Sequence, residues 1–170
     1  HERLVGSEMC IRDRAGTPET ADFALTLTPE GGALHLVPSI GVLGVGCRRG
    51  TTAERLEEAF SAFCASSGLS PAAVSAAASI DLKKEEPGLA QFCEAHGWPI
   101  TFYSADQLRA VPGRFTPSAF VAGVTGVDNV CERAAVKASG GALLLPKTAG
   151  GGVTLALAVR PFAPDWRTEQ

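Results

Sequence analysis

Ile40-Gly41-Val42-Leu43-Gly44-Val45-Gly46-Cys47-Arg48-Arg49-Gly50-Thr51-Thr52-Ala53-Glu54 decides the fold. An unbroken run of apolar residues and glycine, Ile40 to Gly46, has the pattern of a strand buried on both faces, as in a parallel sheet. The loop Cys47-Arg48-Arg49-Gly50 comes next. Thr51 and Glu54 then stand at the spacing of a capping box, so a helix is predicted to open there. On that helix Leu56, Ala59, Phe60, Phe63 and Cys64 share one face, the charges Glu54, Arg55, Glu57 and Glu58 fall mostly elsewhere, and Gly68 ends it. A buried strand, a tight loop and an amphipathic helix make the first half of a strand–helix–strand unit.

The alternation continues downstream. Val74 to Ile80 is a small, apolar strand candidate, succeeded by the charged loop Asp81-Leu82-Lys83-Lys84-Glu85-Glu86. Pro87 suits the first turn of a second helix with Leu89, Phe92, Cys93 and His96 on its buried face and Gly97 at its end. His96, in the last turn, is placed to cap it with positive charge. Ile100 to Tyr103 is a third strand, and Ser104 with Gln107 forms another capping box. Thr116-Pro117 is read as opening a helix through Ala119 to Val124, and Asn129 with Glu132 as capping one that runs to Ala138. Ala142 to Leu145 and Val153 to Val159 are strands joined at the turn Gly150-Gly151-Gly152. The expected architecture is an α/β domain with three α/β/α layers, a mostly parallel sheet and an antiparallel C-terminal hairpin.

Upstream of Ser39 the pattern weakens. Residues 1–14, HERLVGSEMCIRDR, carry neither a helical nor a strand period and are set apart as an artefactual extension. Residues 15–38 contain a hairpin, with strands around Phe23, Leu25 and Leu27 and from Ala33 to Val37 and a turn at Pro29-Glu30-Gly31-Gly32. They are read as a linker or the remnant of a preceding domain. The domain proper is placed at 39–162, with a tail at 163–170.

Composition bounds the function. A chain of 170 residues, 45% hydrophobic, holds one ordinary core. Its net charge of −3 gives no electrostatic footprint for nucleic acid or an anionic membrane. No apolar run reaches the ~18 residues that span a bilayer. The cysteines are Cys10, Cys47, Cys64, Cys93 and Cys131. Their number is odd, no pair forms CxxC and no histidine stands at metal spacing, so they read as reduced, cytoplasmic thiols and no metal site is expected.

Ligands of open parallel sheets bind beyond the carboxyl ends of the strands. The loops at those ends carry Gly46, Cys47, Arg48, Arg49, Gly50 and Thr51 after the first strand, Asp81, Lys83, Lys84, Glu85 and Glu86 after the second, and Lys147 after the fourth. If the loops converge, several cations and a helix N-terminus face one crevice, which suits a ligand with several carboxylates. Plainer readings stand beside this one. Gly44-x-Gly46 serves tight turns for steric reasons alone, Arg48-Arg49 can be a solvated pair, and 81–86 can be a self-neutralising surface loop. A Walker A loop is excluded, since no lysine precedes Thr51. A GxGxxG fingerprint fails because Arg49 holds its third glycine position. The spacing Gly44, Gly46, Gly50, with Asp81 ending the second strand, leaves a Rossmann-like nucleotide-binding module as the alternative.

The segments GVGCRRGTTAERLEEA, SIDLKKEEPGL, ITFYSADQL and GALLLPKTAGGGVTLALA resemble, in this order, those of the C-terminal domain of the CbiG/CobE family of cobalamin (vitamin B12) biosynthesis proteins. The match runs from about Val42 to Val159, with one departure, an additional turn at Val111 to Pro117. The hairpin before Ser39 is similar to the end of the domain that precedes this module in full-length members, which suggests a gene truncated at its 5′ end. The resemblance implies a role in corrin-ring construction: either the C-terminal domain of a cobalt-precorrin-5A hydrolase, which opens the ring-A lactone and releases acetaldehyde, or a stand-alone corrinoid-binding relative. It implies as ligand an anionic tetrapyrrole that carries its own cobalt, with no cofactor of the protein's own, and as partners other corrin-pathway enzymes. Lactone opening needs an activated water and a stabilised oxyanion. Asp81 or Glu85 is the candidate catalytic base, and the N–H groups of Gly46 to Thr51 are the candidate oxyanion donors. A module that holds or hands over the corrinoid without chemistry remains an equal reading of the same residues.

Overall fold

The computed structural model describes residues 4–5, 8–10, 23–27, 34–117 and 126–162. Four short strands come first, β1 (Leu4–Val5), β2 (Glu8–Cys10), β3 (Phe23–Thr26) and β4 (Leu34–Leu36), and form a sheet in that order. Two of them lie in the stretch expected to have no regular structure. The expected hairpin is also corrected: β3 and β4 pair in parallel, Phe23 opposite Leu34, while β2 pairs antiparallel with β3. The connection between β3 and β4, with Pro29-Glu30-Gly31-Gly32, lies outside the described residues. The small sheet is tied to the domain downstream of Ser39 through Leu27, which is buried in the main core and whose carbonyl accepts from the Ser70 N–H at 2.7 Å.

The second sheet contains β5 (Gly41–Cys47), β6 (Val74–Ile80), β7 (Ile100–Tyr103), β8 (Ala142–Gly150) and β9 (Val153–Val159), in the order β7-β6-β5-β9-β8. The first three run parallel, and β9 runs antiparallel to both β5 and β8. Helix α1 (Ala53–Ser67) connects β5 to β6, and α2 (Pro87–His96) connects β6 to β7. Both cover one face of the sheet. Helix α4 (Val130–Ser139), preceded by the short α3 (Ala105–Arg109), covers the other. This is the three-layer α/β/α domain expected, with its parallel strands and its C-terminal hairpin. Gly151 and Gly152 close that hairpin at φ 56 and 82, the doubly left-handed turn that glycine takes without strain. The helix expected from Thr116 through Val124 falls mostly outside the described residues.

The two faces are packed differently. Under α1 and α2 lie Leu43, Val45, Leu56, Phe60, Phe63, Leu89, Phe92 and Leu157, all buried. The Phe60 ring meets Phe92 edge-on at 6.0 Å and Trp98 at 5.2 Å. His96, at the end of α2, stacks on Trp98 and its Nε2 lies 2.6 Å from Glu57 Oε2 on α1, so it clamps the two helices together besides ending its own. Under α4 lie Val42, Ala76, Ala78, Ile80, Leu108, Val127, Val130 and Ala134. The alanines among them, Ala76, Ala78 and Ala134, let helix and sheet approach until a Cβ at Gly44 would collide with the Cys131 carbonyl.

Of the two capping boxes expected, one forms and one is displaced. Ser104 and Gln107 make the reciprocal pair of bonds. At α1 the cap is Thr52, whose hydroxyl accepts from the Arg55 N–H. Thr51 instead donates its hydroxyl to the Arg48 carbonyl at 2.8 Å, closing the loop one residue before the cap. With Arg55 three residues after the cap, no carboxylate can reach back.

Candidate functional site

Paired positions between β5 and β6 end at Gly44 opposite Ala78. Beyond that point the Val45 carbonyl accepts from the buried Ser79 hydroxyl at 2.7 Å. The strands part there, and a cleft of about 760 Å³ opens at their carboxyl ends, a volume usual for small-molecule sites. Its floor and walls are Gly46 and Cys47 from β5, Ile80 from β6, Val153 and Thr154 from β9, and Asn129, Val130 and Cys131 at the start of α4. Arg48, Arg49, Lys83 and Lys147 bring positive charge to it, and Leu82 and the tip Gly150 to Gly152 complete the wall.

Of the residues singled out in the sequence, Gly46, Cys47, Arg48, Arg49, Lys83 and Lys147 therefore line one cleft, while Gly50, Thr51, Lys84, Asp81 and Glu85 are not among its lining residues. Gly50 and Thr51 are engaged in the loop itself: the Gly50 N–H donates to Glu86 Oε2 at 2.8 Å, and the Thr51 N–H to the Arg48 carbonyl. Asp81, Lys84 and Glu85 are exposed on the turn after β6, so the two carboxylates considered as bases do not enter the cleft. The helix whose N-terminus reaches it is α4, not α1. Asn129 adopts a left-handed conformation (φ 51), and its Oδ1 accepts from the Glu132 N–H, which leaves the first turn of α4 directed at the opening.

Two carboxylates that the sequence named without giving them a role in the site organise it. Glu86 is nearly buried. It joins the loops after β5 and β6 by accepting from Gly50 N and by facing the Lys83 ammonium at 3.6 Å. The spacing Lys83–Glu86 was the available signal. Glu132, on the first turn of α4, is fully buried. Its Oε1 accepts from Lys147 N at 2.7 Å and from the Thr116 hydroxyl at 2.8 Å, and its Oε2 from Thr116 N at 2.9 Å. Burial alone would raise this carboxyl, but the Lys147 N–H and the Thr116 N–H and hydroxyl outweigh it and hold Glu132 below the usual carboxylate range. In the sequence it stands as a cap partner, and its position among Val130, Cys131, Ala134 and Ala135 hints at burial. Next to it Arg133 donates to the Asp128 and Val111 carbonyls and lies over the Phe115 ring at 4.5 Å, fixing the 108–117 segment against α4.

Acid–base and nucleophilic groups are scarce in the cleft. Glu86 is its one lining carboxylate among the described residues, and both its oxygens are engaged. Burial pushes the Cys47 thiol up and the Cys131 thiol to about 11, so both remain protonated near neutrality. Among the described residues no group of three or more His, Cys, Asp and Glu is placed to hold a metal ion, and no helix is long and apolar enough to cross a membrane.

Residues 41–158 match the family described as Cobalamin synthesis G C-terminus. The chain belongs to that family. Among its relatives are the cobalt-precorrin-5A hydrolases of Priestia megaterium, 35% identical over 134 residues, and of Salmonella typhimurium, 37% identical over 124. These alignments take in 78% and 73% of this chain but 35% of each hydrolase, so the chain spans about a third of their length. Protein CobE of a Sinorhizobium species is 34% identical over 69% of this chain and 78% of its own. The crystal structure of CobE, a protein from the cobalamin biosynthetic pathway, superposes with a TM-score of 0.65 at 35% identity, covering 72% of this chain and 92% of that one. The cobalamin biosynthesis protein chiG of Agrobacterium tumefaciens superposes at 0.55 and 26% identity, covering 71% and 98%. The chain is thus a cobalamin-biosynthesis protein related to the cobalt-precorrin-5A hydrolases. Nothing in these comparisons favours a nucleotide-binding module. The topology argues against one as well, because the strand beside β5 is the antiparallel β9, whereas a dinucleotide crevice needs a second parallel half there.

Proposed function

We propose that this member of the Cobalamin synthesis G C-terminal family binds an anionic tetrapyrrole of the cobalt-precorrin type in the cleft at the carboxyl ends of β5 and β6. It does so either as the C-terminal domain of a cobalt-precorrin-5A hydrolase or as a stand-alone corrinoid-binding relative. The observation that carries this reading is the composition of the cleft. Arg48, Arg49, Lys83 and Lys147 surround apolar walls built from Ile80, Leu82, Val130 and Val153. A flat macrocycle with carboxylate arms asks for that combination: apolar surface for the ring edge, and guanidinium and ammonium groups for the arms. The α4 N-terminus adds partial positive charge from the same side. Cobalt is then cargo of the substrate, and the protein needs no cofactor of its own. The remaining partners are enzymes of the corrin pathway, in the cytoplasm, with no part for nucleic acid or membrane.

Chemistry is a separate matter. Opening the ring-A lactone needs a base for water and donors for the oxyanion, held in register. The cleft's carboxylate is engaged, its thiols are protonated, and Asp81 and Glu85 lie on the outer turn. The reading is therefore binding without turnover by this chain alone. To test it, the full chain is mixed with cobalt-precorrin-5A while absorbance and acetaldehyde are monitored. A saturable spectral shift without acetaldehyde is expected. Absence of a shift refutes the binding site, and acetaldehyde release places a working base within these 170 residues.

A further inference from the structure

The β8–β9 ladder is interrupted where the cleft needs a cation. Its register passes from Leu145 opposite Leu157 to Thr148 opposite Leu155, so Pro146 and Lys147 together face Ala156. Two residues against one is a bulge, a device that re-aims a side chain. Pro146 has no N–H to give. The Lys147 N–H leaves the ladder and donates to Glu132 Oε1 at 2.7 Å. The same carboxylate holds Thr116 through its N–H and its hydroxyl, and the Asn129 side-chain amide donates to the Thr116 carbonyl at 2.8 Å. A fully buried glutamate is costly unless its oxygens are met. Here three donors from two separate segments meet them, and both segments are loops or irregular strand that would otherwise be set by weaker contacts.

The geometry points to Glu132 as a positioning residue for ligand binding: it fixes the β8 bulge and thereby aims the Lys147 ammonium into the cleft. Glu132 does not line the cleft itself, and its three accepted bonds leave it no role as a base. The inference rests on the corrinoid-binding reading for its functional consequence, but its structural half stands alone. In a chain without the carboxylate, Lys147 keeps its charge and loses its aim.

Glu132→Gln is the decisive substitution, because an amide has one acceptor oxygen and presents its NH₂ to donors it previously accepted. Cobalt-precorrin-5A binding is measured in four backgrounds: wild type, Lys147→Ala, Glu132→Gln and the double variant, with the Arg48→Ala pair as a parallel cycle. Glu132→Gln is expected to weaken binding about tenfold, the scale of one charge-assisted hydrogen bond. That loss should vanish in the Lys147→Ala background and persist in the Arg48→Ala background. An equal loss in both backgrounds overturns the inference, since a general structural defect would not discriminate between them. Hydrogen exchange on the wild type, without ligand, provides the arm that survives a misfolded variant. The Lys147 amide should be protected although it has no partner in β9, and exchange at the rate of a solvent-exposed amide also overturns the inference. Wild type that shows the protected amide but no spectral shift refutes the binding reading and leaves the Glu132–Lys147 geometry intact.

Discussion

The face of the sheet under α1 and α2 is filled with buried rings and leucines, while the buried set under α4 has no ring and is rich in alanine and valine. On the first, Phe60, Phe63, Phe92 and several leucines keep helices and sheet apart at the distance that rings demand. On the second, Gly44, Ala76, Ala78, Ala134 and Ala135 let α4 come close enough for its backbone to touch β5 and for Glu132 to reach β8. Thick packing is rich in apolar area and poor in polar reach. Thin packing has less area to bury, but it brings polar groups of the helix within hydrogen-bond distance of strand ends. The difference teaches a division of labour: most of the apolar stabilisation lies on one face, and most of the site's scaffold on the other.

Phe60→Ala is the substitution that should separate the two most widely. Phe60 is buried to 1% exposure and touches Phe92, His96 and Trp98. Its truncation is expected to cost about 3–5 kcal/mol, as large-to-small changes of buried rings do. Denaturant unfolding measures it. Wherever the variant remains folded, ligand binding should be unchanged, because the rings that Phe60 meets, Phe92, His96 and Trp98, do not line the cleft. A loss of affinity in the folded variant breaks the division.

Gly44→Ala addresses the thin face. The new methyl must displace the Cys131 carbonyl, which lies in backbone and cannot step aside as a side-chain tip would. Overpacking of this kind costs roughly 1–3 kcal/mol. The smaller stability loss should come with a larger loss of binding than Phe60→Ala causes, since Asn129, Val130 and Cys131 are the cleft wall that α4 supplies. Parallel unfolding and spectral titrations of the two variants read the crossover.

Acid should act on the thin face as well. Glu132 is held below its unfolded value in the native state. Its contribution is therefore fully present above the unfolded carboxylate range and is lost as pH falls through its lowered folded value. Stability of Glu132→Gln should consequently be flatter than wild type on the acid side, with the two curves diverging toward neutral pH. Identical slopes would show that the carboxylate is not the group that titrates.

The fold was legible because its signals are local and periodic. Val74 to Ile80, Ile100 to Tyr103 and Val153 to Val159 stand in the structure at the bounds that short apolar runs between turn residues predict. The rim cations were legible for a topological reason: parallel strands put their connecting loops at one end. What escaped depends on contacts between distant segments. Glu86 reaches Gly50 across 36 positions. Glu132 serves Thr116 and Lys147 at 16 and 15. A bulge in β8 shows in the sequence only as Pro146 inside a strand. The one misplaced cap, Thr51 for Thr52, came from two adjacent threonines of which either could serve.

The smallest expected effect is the sharpest test of where function sits. Asp81 and Glu85 flank Leu82, Lys83 and Lys84 on the turn after β6, close in sequence to cleft residues but exposed and outside its lining. Asp81 contributes its backbone carbonyl to the turn, which accepts from Lys84 N at 3.0 Å, and a change of side chain leaves that bond in place. Asp81→Asn and Glu85→Gln, each nearly isosteric, are therefore expected to shift stability by no more than about 0.5 kcal/mol, as surface changes away from special features do. Removing a negative charge beside Lys83 and Lys84 should favour an anionic ligand slightly at low salt, with the gain fading as salt is raised. Titrations of both variants at two ionic strengths measure this. A large loss of binding from either would place the ligand on the outer turn rather than against α4. The large-residue face, through the loop that enters α2, would then carry the site proposed here for the face under α4.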